Sequence, residues 1–233
     1  MAGTLSFTQI YFKDEQITSL YPFAKPYKNE TLTDYFENDV IAKVVPQSSA
    51  DYIGVCSWRL KQKRGESSTP MVLNHKLELS EEKILSHDFD VAILTPRRPT
   101  FRMLDMAANW HGKAWDDCFS VFNSEFLQPI GIKIPNVSEG EDLKHAIHEN
   151  HFIASGEIYR AYVSEALAPA IHFMDTKEIF KTESGYIHKK RDTQEIKAYQ
   201  NASGRYDWPM APFILERLFS IWINDKNLKV INL

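Results

Sequence analysis

Two cationic runs stand directly after short apolar segments: Ser57-Trp58-Arg59-Leu60-Lys61 and Pro96-Arg97-Arg98. An arginine fork matches the paired oxygens of a phosphate or diphosphate, and lysine adds a compact positive charge. Trp58 offers a flat face for a base or sugar ring, although a tryptophan beside a strand end also serves as plain packing. Both runs therefore suit a phosphorylated ligand.

Three other constellations could do chemistry. Asp88-Phe89-Asp90 has the spacing that holds a divalent cation against a diphosphate, but it precedes its apolar run. Ligands of an open parallel sheet gather at the carboxyl ends of the strands, so this pair is expected at the opposite edge as a turn. His145, His148 and His151 recur every three residues, a spacing that on one helix could serve zinc or nickel. His151 is expected to open a strand instead, which favours an exposed polar helix before it over a metal centre. Glu216-Arg217 interrupts the apolar segment Phe213–Ile223, and a charged pair there either forms structural ion pairs or faces a polar cleft.

The segments around these residues indicate an α/β fold with a central, mostly parallel sheet flanked by helices. Ser6–Phe12 alternates like a strand, Tyr52–Cys56 is a continuous apolar run suited to a strand buried on both faces, and Phe89–Leu94 is a third. His151–Ala154 is a short strand that Ser155 should convert into a helix over Glu157–Met174, with Pro169 kinking or splitting it. Helical periodicity marks Thr33–Val45, Ser80–Ser86, Phe101–Trp110, Trp115–Leu127 and Phe213–Ile223, the last opened by Pro212. Ser138–Asn150 is a polar helix candidate, Ile130–Ile134 a short strand, and the prolines at 22 and 26 predict an irregular loop. Thr176–Tyr206 reads as a long loop or lid.

A chain of 233 residues with 43% hydrophobic and 25% charged residues has a globular composition, and one domain over 1–233 is the expectation. A formal charge of −4 and a pI near 6.1 provide no general attraction to nucleic acid or to an anionic membrane, so no nucleic-acid partner is expected. No segment approaches the ~20 apolar residues of a membrane span, and the start has no secretory pattern. A cytoplasmic location follows as the expectation, including work at the inner membrane face through a partner. Cys56 and Cys118 sit in apolar surroundings and read as free buried thiols. The aromatic content would tolerate a dimer.

Four stretches then carry a family resemblance: Tyr35-Phe36-Glu37-Asn38, Asp51 through Arg59, Asn150 through Ala154, and Phe213 through Trp222. In this order they resemble bacterial capsular and lipopolysaccharide glycosyltransferase-like proteins. The resemblance implies an A-type, nucleotide-diphosphosugar transferase-like fold, a nucleotide-sugar donor and a saccharide acceptor. Carried over by position, it implies cleft residues Ser57, Trp58, Arg59, Asn150, Glu216 and Arg217. Arg59, helped by Lys61 or Arg97, would stabilise the departing diphosphate, and Glu216 would orient or deprotonate the acceptor. Manganese or magnesium is the cofactor such a donor would bring, although no Asp-x-Asp follows a strand. The family motif carries a histidine-tyrosine pair where this chain has Ser57-Trp58. A saccharide- or nucleotide-binding protein of the same fold, without catalysis, is the alternative.

Overall fold

The computed structural model describes residues 3–30, 34–64, 79–95, 103–135, 143–147, 149–185 and 207–233. Its centre is a six-stranded sheet whose members come from both ends of the chain. The strands are β1 (Leu5–Tyr11), β2 (Lys25–Lys28), β3 (Tyr52–Ser57), β4 (Val91–Ile93), β5 (Phe152–Ser155) and β6 (Val230–Asn232). They lie in the order β2-β1-β3-β5-β4-β6. β1 pairs in parallel with β2 and β3, and β4 in parallel with β6, whereas β5 is antiparallel to both of its neighbours. Five strands thus run one way and β5 alone runs back.

The run Tyr52–Cys56 is apolar because both faces of β3 are covered. Ile53 and Val55 join the larger core beneath the helices, while Cys56 packs on the other face with Phe7, Tyr21, Leu60 and Ile153. Gly54 is needed where this face is tightest. A Cβ there would stand 2.5 Å from a Phe7 ring carbon and 2.9 Å from Ile153 Cγ1.

The helices named from periodicity form with shifted ends as α1 (Glu37–Val44), α3 (Glu81–Leu85), α4 (Met103–His111) and α5 (Lys113–Phe122), and a short α2 (Leu60–Lys63) is added between β3 and α3. α2 was not foreseen. Ser80 Oγ caps α3 by accepting the Lys83 N–H. Ser155 does the same for α6 (Gly156–Tyr162), accepting the Ile158 N–H at 3.4 Å. Around Pro169 the expected helix is divided into segments. A π-helical turn over Val163–Leu167 comes just before it, and the chain continues as α7 (Ala168–Asp175). α8 (Ala211–Trp222) has Pro212 in its first turn, where a missing N–H costs nothing.

Three expectations are corrected. The loop expected at prolines 22 and 26 contains β2, and Pro26 is tolerated because β2 is an edge strand paired on one side only. Ile130–Ile134 forms a turn and irregular backbone, since a short apolar run without a neighbouring strand edge has no ladder to join. Of the expected helix Ser138–Asn150, residues 143–147 are not helical, and 138–142 and 148 lie outside the described residues. Instead their backbone is held by α8 and the chain just after it: Ile147 N donates to Ser220 Oγ and Lys144 N to Asn224 Oδ1, both at 2.9 Å. Of the expected loop 176–206, Glu178–Lys181 is a short 3₁₀ helix, and 186–206 lies outside the described residues.

α8 is the helix most deeply packed on the sheet. Phe219 stacks on Phe152 of β5 with ring centres 3.9 Å apart, and Tyr159, Tyr162 and Trp222 surround the pair. This aromatic cluster anchors α8 against β5, so Glu216, one turn before Phe219, is presented from a rigid support. Among the described residues no helix is long and apolar enough to cross a membrane.

Candidate functional site

The first part of the site is the exit of β3. Ser57 ends the strand beside Ile10 of β1, and its carbonyl accepts the side-chain amide of the buried Gln9 at 3.3 Å. The Trp58 N–H then donates to the Ile10 carbonyl at 2.8 Å, and the Arg59 N–H to Ser57 Oγ at 3.3 Å. These bonds turn the chain sharply into α2. The Arg59 guanidinium lies 5.3 Å from the Trp58 ring centre, so cation and aromatic face sit together as the sequence suggested. α2 splits its two lysines. Lys61 reaches over Tyr21 at 4.9 Å, on the other face of the sheet, while Lys63 Nζ meets Glu149 Oε1 at 2.6 Å.

The second part is the entrance to β5. Because β5 is reversed, its start lies at the same edge as the carboxyl ends of β1, β3 and β4. Glu149 (φ 56°) and Asn150 (φ 55°) are both left-handed there, as is Phe36 (φ 52°) just before α1. Outside glycine such backbone is uncommon, and it gathers where side chains must be aimed. Asn150 is buried, and its Nδ2 donates to Asn38 Oδ1 at 3.3 Å, stitching the β5 entrance to the first turn of α1. His151 is fully buried, with Nε2 3.1 Å from Ser57 Oγ and Nδ1 3.9 Å from Glu149 Oε2.

α1 and α8 complete the cluster. Glu37 in the first turn of α1 and Glu216 of α8 interact electrostatically with each other and with Glu149. Burial pushes the Glu216 carboxyl up to about 8, opposed by Arg217 and Lys63 and reinforced by the charges of Glu37 and Glu149. Its side chain keeps 23% exposure, so it still reaches solvent. Glu37 is also raised, by burial and by Glu149, against the pull of Arg59. Burial acts on Glu149 in the same direction. There the Lys63 hydrogen bond, the neighbouring His151 ring and the charges of Lys63 and Arg59 outweigh it, and the carboxyl lies below its ordinary value. One carboxyl shifted down and two shifted up therefore share the site with Arg59 and Lys63. Such divergent environments are the pattern by which carboxyls divide acid and base work.

Arg217 points the other way. Its guanidinium packs 5.2 Å from the Trp115 ring centre, donates to the Phe213 carbonyl, and keeps NH1 3.7 Å from Glu216 Oε2. The two readings of Glu216-Arg217 divide between the residues: the glutamate faces the polar cluster and the arginine anchors α8.

Of the residues singled out in the sequence, Ser57, Trp58, Arg59, Asn150 and Glu216 come together; Lys61 does not, and Arg97 lies outside the described residues. Glu37, Lys63, Glu149 and His151 belong to the site and were missed. The sequence offers His151 as a ligand only beside His145 and His148, and His148 lies outside the described residues. The signal available was a Glu-Asn-His run at the start of a strand, but its side of the sheet depends on the reversal of β5. Asp88 and Asp90 occupy the far edge as expected, Asp88 pairing with Lys229 Nζ and Asp90 Oδ2 accepting the Lys229 N–H, each at 2.7 Å. Among the described residues no three histidine, cysteine, aspartate or glutamate side chains are arranged to hold a metal ion.

No protein-family model matches the chain, and neither a curated protein nor a solved structure matches it.

Proposed function

We propose that this chain is a glycosyltransferase that moves a sugar from a nucleotide-diphosphate donor to a saccharide acceptor in surface polysaccharide synthesis, on a nucleotide-diphosphosugar transferase-like fold. The observation that carries this reading is Glu216, a solvent-reaching carboxyl raised to about 8, in the same polar cluster as Arg59 and Lys63. The sheet adds support, because the cluster lies at the carboxyl ends of its parallel strands, where α/β folds bind ligands.

In this mechanism Arg59 meets the diphosphate as the glycosidic bond breaks and negative charge grows on the leaving oxygen. Trp58 provides the flat surface for the base or sugar. Glu216, once ionised, accepts the proton of the attacking acceptor hydroxyl, and its raised affinity for protons makes it a stronger base than an ordinary carboxylate. Lys63 holds Glu149 ionised beside Arg59 and limits the drift of that cation. Manganese or magnesium would neutralise a bound diphosphate. The described residues do not supply the converging donors for a resident cation, so no step is assigned to one.

The test is turnover and binding with a panel of nucleotide sugars and saccharide acceptors. Arg59→Ala is expected to weaken donor binding at least ~10-fold, as loss of a charged hydrogen bond would. Glu216→Gln is expected to keep donor binding and lower kcat ~100-fold or more. Unchanged donor affinity in Arg59→Ala for every nucleotide sugar that the parent binds would overturn the assignment. Binding without product by the parent would instead make the chain a saccharide- or nucleotide-binding module.

A further inference from the structure

His151 is a fully buried polar group at this site to which the transferase reading gives no task. Its setting is specific. The backbone ladder between β3 and β5 pairs Tyr52 with Ser155, Ile53 with Ala154 and Gly54 with Ile153. Beyond Gly54 side chains join the two strands: Cys56 Sγ donates to the Asn150 and Phe152 carbonyls, and Ser57 Oγ meets His151 Nε2 at 3.1 Å. This last contact lies directly beneath the turn that carries Arg59.

Hydrogen-bond chemistry assigns the protons. Ser57 Oγ accepts the Arg59 N–H, and its own hydroxyl proton remains to be donated. A neutral imidazole takes that proton on the Nε2 lone pair, which leaves the ring N–H on Nδ1. Nδ1 faces Glu149 Oε2, 3.9 Å away, and Lys63 keeps that carboxylate ionised. At that separation the carboxylate acts on Nδ1 electrostatically rather than through a hydrogen bond, so the Ser57 hydroxyl at Nε2 is what fixes the tautomer, and the charge of Glu149 favours the N–H on the side that faces it.

We propose that His151, neutral and protonated on Nδ1, is a positioning residue that ties the Ser57 hydroxyl, and through it the Arg59 turn, to the Glu149–Lys63 pair. The aim of Arg59 at a diphosphate rests on the transferase reading; the tie itself does not. The chain of contacts runs from Arg59 N–H to Ser57 Oγ, from Ser57 Oγ to Nε2, from Nδ1 toward Glu149, and from Glu149 to Lys63. Loss of the imidazole leaves the Ser57 hydroxyl without its acceptor and frees the Arg59 amide to exchange.

The experiment uses the full chain, labelled with ¹⁵N-histidine. The His151 ring is expected to show a protonated Nδ1 and an unprotonated Nε2, with the Nε2 signal moving in Ser57→Ala. In hydrogen exchange the Arg59 amide should lose ~10-fold or more of its protection in His151→Leu and in Ser57→Ala. His151→Gln, whose amide oxygen can stand near the Nε2 position, should keep protection within ~3-fold. Affinity for inorganic diphosphate should follow the same order. A protonated Nε2, or unchanged Arg59 exchange in both His151→Leu and Ser57→Ala, would overturn the proposal. If His151→Leu does not fold, Ser57→Ala and the ring signals decide. If the parent binds no diphosphate, the transferase reading fails while the ring and exchange results still decide the role of His151.

Discussion

Lys63 Nζ lies 2.6 Å from Glu149 Oε1, joining the short helix that follows β3 to the strained turn that opens β5. Both side chains keep roughly two-fifths of their exposure (42% and 39%), so the pair itself is worth about 0.5–1 kcal/mol. Because the folded state depresses the Glu149 proton affinity, its contribution is present above the unfolded carboxylate value and is lost as pH falls through the folded one. Lys63→Met should therefore be less stable than the parent at pH ~7 and converge on it in acid. Urea unfolding at the two pH values checks this, and an equal deficit at both would contradict it.

Glu216 has the opposite linkage. Its carboxyl is raised to about 8, so the folded chain binds a proton that the unfolded chain has released between the ordinary glutamate value and pH ~8. Stability from this group is complete in acid and declines as pH rises through about 8. Glu216→Gln should flatten that decline by on the order of 2 kcal/mol after allowance for partial exposure. Glu37 acts in the same direction, so a residual slope should remain. Melting temperatures from pH 5 to pH 9 for the parent and the variant provide the comparison.

Gly54→Ala tests the closest approach in the sheet. The added methyl would stand 2.5 Å from the Phe7 ring and 2.9 Å from Ile153, inside any normal contact. Overpacking at a site closed by two strands should cost about 1–3 kcal/mol. Chemical denaturation should show a lower midpoint with an unchanged slope.

Phe219→Ala should cost about 3–5 kcal/mol, since it removes the ring that stacks on Phe152 and touches Tyr159, Tyr162 and Trp222. Because Glu216 sits one turn earlier on the same helix, the proposed transferase function predicts that a folded Phe219→Leu variant loses catalytic rate more than donor affinity. A parallel loss of both would show that α8 supports the donor side as well.

Much of the fold was legible where one strand or helix decides its own fate. β3 was evident because burial on both faces demands an unbroken apolar run, and α8 because Pro212 starts it and an apolar stripe follows. Ser155 announced its own cap. β2 and β6 were hidden because Lys25–Lys28 and Val230–Asn232 carry little pattern of their own. Their strand character comes from the exposed edges of β1 and β4.

By itself the sequence determined that the buried strand β3 would end in a cationic turn, that Trp58 and Arg59 would share it, and that Asp88 and Asp90 would lie away from it. Local burial pattern and chain direction suffice for those statements. Only the tertiary structure decided that β5 runs against its neighbours. That reversal brings Glu149, Asn150 and His151 to the exit of β3, with Glu37 and Glu216 beside them. Strand direction within a sheet and the split of Lys61 from Lys63 across its two faces depend on contacts between residues far apart in the chain. Spacing along the sequence carries no record of such contacts.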